Sequence, residues 1–193
     1  AAGVLLAKVL LRRKNFGTVS QPELKVLFVC TGNTCRSPMA EQMFRQLAQK
    51  AGLAVQVSSA GVSAKSGETM NTKAIEAIKS LGYQTKSHRA KALTKKLVEQ
   101  ADLVITMTKS QSESVQRISP TASRYTYSLG EISNLAADLL GPTETTVKAS
   151  KNPSGSRIEQ LAHLRDAQTN SKQFLDVDDP FGKSPEVYRE SAK

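Results

Sequence analysis

The chain has 193 residues, 39% of them hydrophobic, which is enough for one domain around a single sizeable core. Aromatic residues make up only 5% and Trp is absent, so that core must rest on Leu, Ile, Val, Ala and Met. A formal net charge of +10 favours anionic partners, or simply a solvated basic face; the thin aromatic interleaving of the basic residues argues against nucleic-acid binding as the main role.

Residues 4–14 read as a helix, with Leu5, Leu6, Val9 and Leu10 on one side and a basic end at Arg12, Arg13 and Lys14. Its apolar run is broken by Lys8 and too short to span a bilayer, and its charges follow the apolar stretch, the reverse of a secretory signal. A linker at 16–22 completes an N-terminal unit of residues 1–24, and residues 25–193 form the main domain. That domain opens on Lys25-Val26-Leu27-Phe28-Val29, a buried strand. The turn Thr31-Gly32-Asn33-Thr34-Cys35-Arg36 follows, and then Ser37-Pro38 opens a helix, Ser37 as N-cap and Pro38 in the first helical position. Its apolar face is Met39, Ala40, Met43, Phe44, Leu47, Ala48 and Ala51.

Alternation continues with a strand at 55–59, a helix at 71–81 stopped by Gly82, and a short helix at 94–100. A strand at 103–106, a more polar helix at 109–118 and a strand at 125–128 follow. This rhythm predicts an α/β fold, a three-layer αβα sandwich with a central four-stranded parallel sheet. In such sheets ligands bind beyond the carboxyl ends of the strands, where the turn after Cys30 falls. Residues 132–175 break the rhythm: Gly141-Pro142 and Asn152-Pro153-Ser154-Gly155 are loop signals, with a helix between them and 175 marked by Ile158, Leu161, Ala162 and Leu164. The stretch reads as an insertion that could rim the site.

Cys30 and Cys35 are the only cysteines. Two thiols make no zinc site by themselves, and His88 and His163 lack finger spacing, so no metal is expected. A disulfide would close a very short loop and stabilise little, which favours thiol chemistry in a reducing compartment, the cytoplasm. Cys-x5-Arg is loose as a pattern. Placed between a strand and a helix start it is much tighter, because phosphate needs backbone N–H groups converging on its oxygens and a turn ending at a helix N-terminus supplies them. Gly32 would let the backbone approach closely with positive φ. Arg36 would supply a planar two-pronged donor that Lys could not mimic. The same positive field would hold Cys30 as an anion able to attack phosphorus.

The run from Val26 to Phe44 closely resembles the low-molecular-weight protein tyrosine phosphatases, especially their bacterial protein-arginine phosphatase branch. Ser59-Ala60-Gly61, Ala101-Asp102-Leu103-Val104 with Met107, and Asp178-Asp179-Pro180-Phe181-Gly182 extend the likeness. The resemblance implies Cys30 as nucleophile, Arg36 as phosphate clamp and Asp179 as general acid, although an Asp before Pro is also a common turn. It implies that Ser37 hydrogen-bonds the thiolate, that Asn33 holds the loop's shape, and that Thr31, Gly32, Thr34 and Cys35 complete the phosphate cradle. No cofactor or metal is implied. Phosphorylated proteins would be the substrates and inorganic phosphate the product.

Thr34 and the apolar wall of Phe181 and Gly182 resemble the arginine branch, so phosphoarginine is favoured over phosphotyrosine. Thr34 could equally just satisfy the loop backbone. Cys35 could trap an oxidised Cys30 or merely fill space under the loop. His88 and His163 read as structural or exposed. Members of the family continue a long helix after the acid loop, whereas this sequence ends at Lys193; residues 1–14 would take that helix's place, with Lys193 and Ala1 close together. The rival for 1–14 is a targeting or membrane-surface helix. Arsenate reduction would need further cysteines downstream, which this sequence lacks, and a phosphate-binding module without catalysis would need neither a nucleophilic Cys30 nor Asp179.

Overall fold

Four strands form one sheet: β1 (Leu24–Cys30), β2 (Val55–Gly61), β3 (Leu103–Thr106) and β4 (Thr126–Ser128). All pair in parallel, in the order β2-β1-β3-β4. The helices are α1 (Arg36–Lys50), α2 (Thr72–Ser80), α3 (Lys95–Glu99), α4 (Lys109–Ile118), α5 (Leu129–Leu140), α6 (Arg157–Ala167) and α7 (Pro185–Ala192), with a 3-10 helix at Pro120–Tyr125. The computed structural model describes residues 23–140, 157–167 and 176–193. The expected helix at 4–14, its linker and its approach to Lys193 lie outside these residues.

The period-2 alternation of a strand sorts β1 between two cores. Val26, Phe28 and Cys30 face a layer holding Phe44 and Ala48 of α1, Ile132 and Leu135 of α5, and Leu161 and Leu164 of α6. Leu27 and Val29 face the opposite layer, with Val98 of α3 and Val115 of α4. Helices therefore cover both faces, which gives the three-layer αβα sandwich and explains why the central strands are apolar throughout. A third cluster joins Met39 of α1, Ala74, Ala77 and Ile78 of α2, and Tyr188 and Ala192 of α7.

Two readings of the elements are corrected. The first major helix begins two residues earlier than Ser-Pro predicts: Cys35 is its N-cap, and the first helical hydrogen bond runs from Met39 N to Cys35 O. Ser37 thus lies inside the first turn, its hydroxyl free for other partners, and Pro38 sits where an N–H would have no intrahelical acceptor anyway. The described parts of 132–175 belong to two core helices, while the loop signals at 141–142 and 152–155, and with them the expected rim, lie outside the described residues. Arg165 pins α6 to the sheet: it donates to Glu131 Oε1 (2.8 Å), Ser123 O (3.0 Å) and Thr126 O (2.6 Å), and its guanidinium carbon lies 3.5 Å from the Tyr127 ring centroid.

The sheet order places the neighbours of β1 on opposite sides, one reached by each of the two crossover directions. The crevice at such a switch lies at the carboxyl end of β1, where Cys30 ends the strand.

Candidate active site

Cys30 is paired in register with Gly61, and five residues separate it from the start of α1. The intervening loop is shaped by Asn33, the one non-glycine residue with positive φ (55°) among the described residues. Gly32 was expected to take that conformation and does not; a Cβ there would make only ordinary contact with Thr34 Oγ1 at 3.6 Å. Asn tolerates the left-handed region because its short amide can bond locally, and here the surroundings fix it completely. Asn33 Nδ2 donates to Ser37 Oγ (2.9 Å) and Ser59 Oγ (2.8 Å), and Oδ1 accepts from Lys91 N (2.8 Å). Its carbonyl accepts from His88 Nε2 (2.8 Å). Because a carbonyl can only accept, that nitrogen of His88 carries a hydrogen.

The hydroxyl hydrogens can then be assigned in turn. Ser59 receives one from Asn33 and donates its own to Glu41, whose other oxygen pairs with Arg45 of the same helix. Ser37 receives one from Asn33, which leaves its own for Cys30 Sγ at 3.0 Å, closer than Ala60 O at 3.4 Å. Asn33 N donates to the same sulfur at 3.3 Å. Two donors therefore converge on Cys30, at the N-terminal end of α1, where negative charge is favoured.

Gly61 is needed for this packing. A Cβ built on it would lie 2.5 Å from Thr31 O and 2.9 Å from Asn33 N, both backbone atoms of the loop. Ser63 N donates to that same Thr31 oxygen (2.9 Å) and Val62 N to Cys30 O (3.0 Å), so neither side has room to yield. We expect Gly61→Ala to cost about 2 kcal/mol of stability, as overpacking a tight site does, and to lower turnover along with it. Denaturant unfolding and steady-state rates check this, and an unchanged unfolding midpoint would contradict it.

Arg36 is almost fully buried yet reaches the mouth of the loop. Its Nη1 donates to Val177 O (3.2 Å), and its Nη2 to Thr31 Oγ1 (3.4 Å) and Asp179 Oδ2 (2.6 Å). The carboxylate side of this pair is 49% exposed, so Asp179 faces outward over the site. Although 149 and 143 residues away from Cys30 and Arg36 by sequence number, Asp179 is held there by a braced segment. Val177 N donates to Met107 O (2.8 Å), Lys109 N to Asp176 Oδ1 (2.8 Å), and Ser191 Oγ to Asp178 O (3.4 Å). Beyond Pro180, Gly182 takes φ 76° in a turn closed by Lys183 N to Pro180 O, and Asp179 Oδ1 accepts from Phe181 N (3.2 Å). Phe181 is 68% exposed beside the carboxyl.

The other expected loop residues divide. Thr31 is exposed and Thr34 half-buried, its hydroxyl 3.7 Å from Cys35 Sγ. Cys35 turns inward, 3.6 Å from the Tyr188 hydroxyl, and burial raises its pKa, so the thiol form is favoured there. Both cysteines are free thiols, and Cys35 fills the space beneath the loop. Burial likewise raises the pKa of Tyr188. His88 braces the loop from outside, and His163 is exposed on α6. Sequence reading missed Gly61, Glu41, Ser59 and Gln111 as supports of the site, although Ser59 and Gly61 stand in a motif that pointed to them.

A loop of donors that begins at a hydrogen-bonded sulfur and ends at a buried guanidinium paired to an outward carboxyl can hold a tetrahedral dianion between a nucleophile and an acid. A family model described as low molecular weight phosphotyrosine protein phosphatase matches residues 25–141. A protein-arginine-phosphatase of Bacillus subtilis is 46% identical over 85 residues, 44% of this chain but only 56% of that relative. A protein-arginine-phosphatase of Geobacillus stearothermophilus is 34% identical over 143 residues, 72% of this chain and 93% of the relative. The crystal structure of the tyrosine phosphatase Wzb from Escherichia coli, in complex with sulphate, superposes with a TM-score of 0.60 at 26% identity, covering 87% of each chain. With the parallel sheet and the loop at its switch point, these matches mean that the chain belongs to the low molecular weight phosphotyrosine protein phosphatase family.

Proposed function

We propose that the protein is a cysteine-dependent protein phosphatase acting on phosphorylated side chains, phosphoarginine in preference to phosphotyrosine. The observation that carries this is the convergence of Ser37 and Asn33 on Cys30 Sγ at one end of a loop whose other end holds Arg36, bonded to Thr31 of that loop and paired to Asp179. The phosphoryl group docks in the loop 31–37, its oxygens held by backbone N–H groups and by Arg36. The Cys30 thiolate attacks phosphorus as the bond to the leaving nitrogen or oxygen breaks, and Asp179 gives the leaving atom its proton. Asp179, now a carboxylate, takes a proton from water as that water attacks the phosphocysteine. The sulfur–phosphorus bond breaks, restoring the thiolate and releasing inorganic phosphate. No step requires a metal or cofactor. The need of a nucleophilic thiol for a reducing environment supports a cytoplasmic location. Among the described residues no helix is long and apolar enough to cross a membrane.

Support for phosphoarginine comes from Thr34 in the loop and from the two relatives named as protein-arginine phosphatases. The exposed Phe181 can lie against a planar guanidinium as it can against a phenol ring. The test is a rate comparison on matched phosphoarginine and phosphotyrosine peptides. We expect kcat/KM to favour phosphoarginine, and Thr34→Ile to shift the ratio about tenfold toward phosphotyrosine. A ratio unmoved by Thr34→Ile removes Thr34 as selector, a wild-type preference for phosphotyrosine reverses the substrate assignment, and hydrolysis of neither peptide overturns the phosphatase reading.

A further inference from the structure

We propose that Gln111 is a positioning residue that makes the Thr31 hydroxyl a hydrogen-bond donor to a non-bridging oxygen of the substrate's phosphoryl group. This rests on the phosphatase reading above. Gln111 is buried in the first turn of α4, and its amide orientation is over-determined. Its Oε1 accepts from Met107 N (3.0 Å) and Thr108 N (3.1 Å), so the nitrogen must point the other way, and Nε2 donates to Thr31 Oγ1 (3.1 Å).

A hydroxyl has one hydrogen and two lone pairs. At Thr31 both lone pairs face groups that can only donate, the Gln111 amide and the Arg36 guanidinium. The hydrogen of Thr31 is thereby turned away from both, and among the described residues it is donated to none. Thr31 itself is exposed at the mouth of the loop, directly after Cys30. Nη2 of Arg36 carries Thr31 Oγ1 and the Asp179 oxygen together, so a phosphoryl oxygen taking the place of the carboxylate on that nitrogen arrives beside the Thr31 hydrogen. A hydroxyl with this polarity stabilises an anion; with the opposite polarity its lone pairs would repel one.

Capping α4 alone would account for the Oε1 contacts but not for the hydrogen bond across 80 residues to Thr31. The test exploits this difference. Gln111→Glu keeps the capping box, for which Glu is a standard partner, but replaces the donor with an acceptor. Thr31 must then donate to the new carboxylate and present lone pairs to the site. We expect Gln111→Glu to lower kcat/KM about tenfold or more and to weaken orthophosphate binding, measured by calorimetry, by a similar factor. In a Thr31→Val background, with no hydroxyl to turn, the same substitution should cost less than about threefold, the share of its charge alone. In a Thr31→Ser background the full loss should return. Equal losses in all three backgrounds, or no loss in any, overturn the inference. Failure of the wild type to hydrolyse any phosphopeptide would sink the phosphatase reading instead, and the orthophosphate titrations would still decide the role of Gln111.

Discussion

Cys30→Ser is expected to lower turnover on the order of 10⁴-fold or more while leaving orthophosphate binding intact. The substitution exchanges one atom in a buried position whose neighbours, Asn33 N and Ser37 Oγ, can hydrogen-bond either sulfur or oxygen. The loop's shape depends on Asn33, Gly61, Ser59 and Lys91 rather than on the sulfur, so the cradle survives. What is lost is the nucleophile: a serine hydroxyl is far harder to ionise than a thiol, and among the described residues no base stands within hydrogen-bond reach to take its proton. Among the described residues Cys30 Sγ touches a hydroxyl and an N–H, both able to stabilise an anion and neither suited to deprotonate an alcohol. Orthophosphate binding should hold within about threefold or tighten, because an anionic sulfur no longer repels the dianion. Steady-state rates and calorimetry measure the two effects separately. Activity above about one hundredth of wild type would mean that another group attacks phosphorus; loss of phosphate binding as well would mean that the sulfur holds the loop together.

The parts of this site that could be read from the sequence are those whose physics is local. The strands at 25–29 and 103–106 announce themselves as short apolar runs because both of their faces are covered, by Phe44 and Ile132 on one side and Val98 and Val115 on the other. The loop from Cys30 to Ser37 is legible because cradle, clamp and helix start are contiguous. Local rules fail where a distant partner claims the same group. Ser37 before Pro38 has the form of an N-cap, yet its hydroxyl belongs to Cys30 and Asn33, and the helix starts without it. Positive φ falls to Gly32 by local rules, whereas three partners from outside the loop stabilise it at Asn33. Gln111 reads as an ordinary polar residue of a polar helix, because the hydroxyl it orients is on another strand's loop. The stretch 132–175 reads as irregular because the loop signals from 141 onward mask the apolar stripe of Ile132, Leu135 and Ala136, which is buried on α5. The placement of Asp179 needed the likeness to a family, since no spacing rule joins residues 143 apart.

Asp179→Asn is expected to separate catalysis from binding. As general acid the carboxyl contributes at the moment the leaving atom departs, so its loss should lower kcat by about 10² to 10⁴-fold. The size of the effect must depend on how much the leaving atom needs a proton. An aryl phosphate with a strongly acidic phenol leaves without help, and the deficit on such a substrate should shrink markedly in its first step, whereas phosphoarginine and phosphotyrosine peptides should show it in full. Binding should move the other way. In the present geometry the Asp179 carboxylate and an incoming phosphoryl oxygen compete for Nη2 of Arg36, since that nitrogen already bonds Asp179 at 2.6 Å. A neutral amide accepts a weaker hydrogen bond from a guanidinium than a carboxylate does and adds no like charge beside the phosphate. Orthophosphate should therefore bind several-fold tighter to Asp179→Asn, and KM should stay level or fall while kcat collapses. The backbone braces at Val177 and Asp178 do not involve the substituted group, so the segment keeps its place. An equal deficit on good and poor leaving groups, with phosphate binding weakened, would show Asp179 to be a prop for Arg36 rather than the acid.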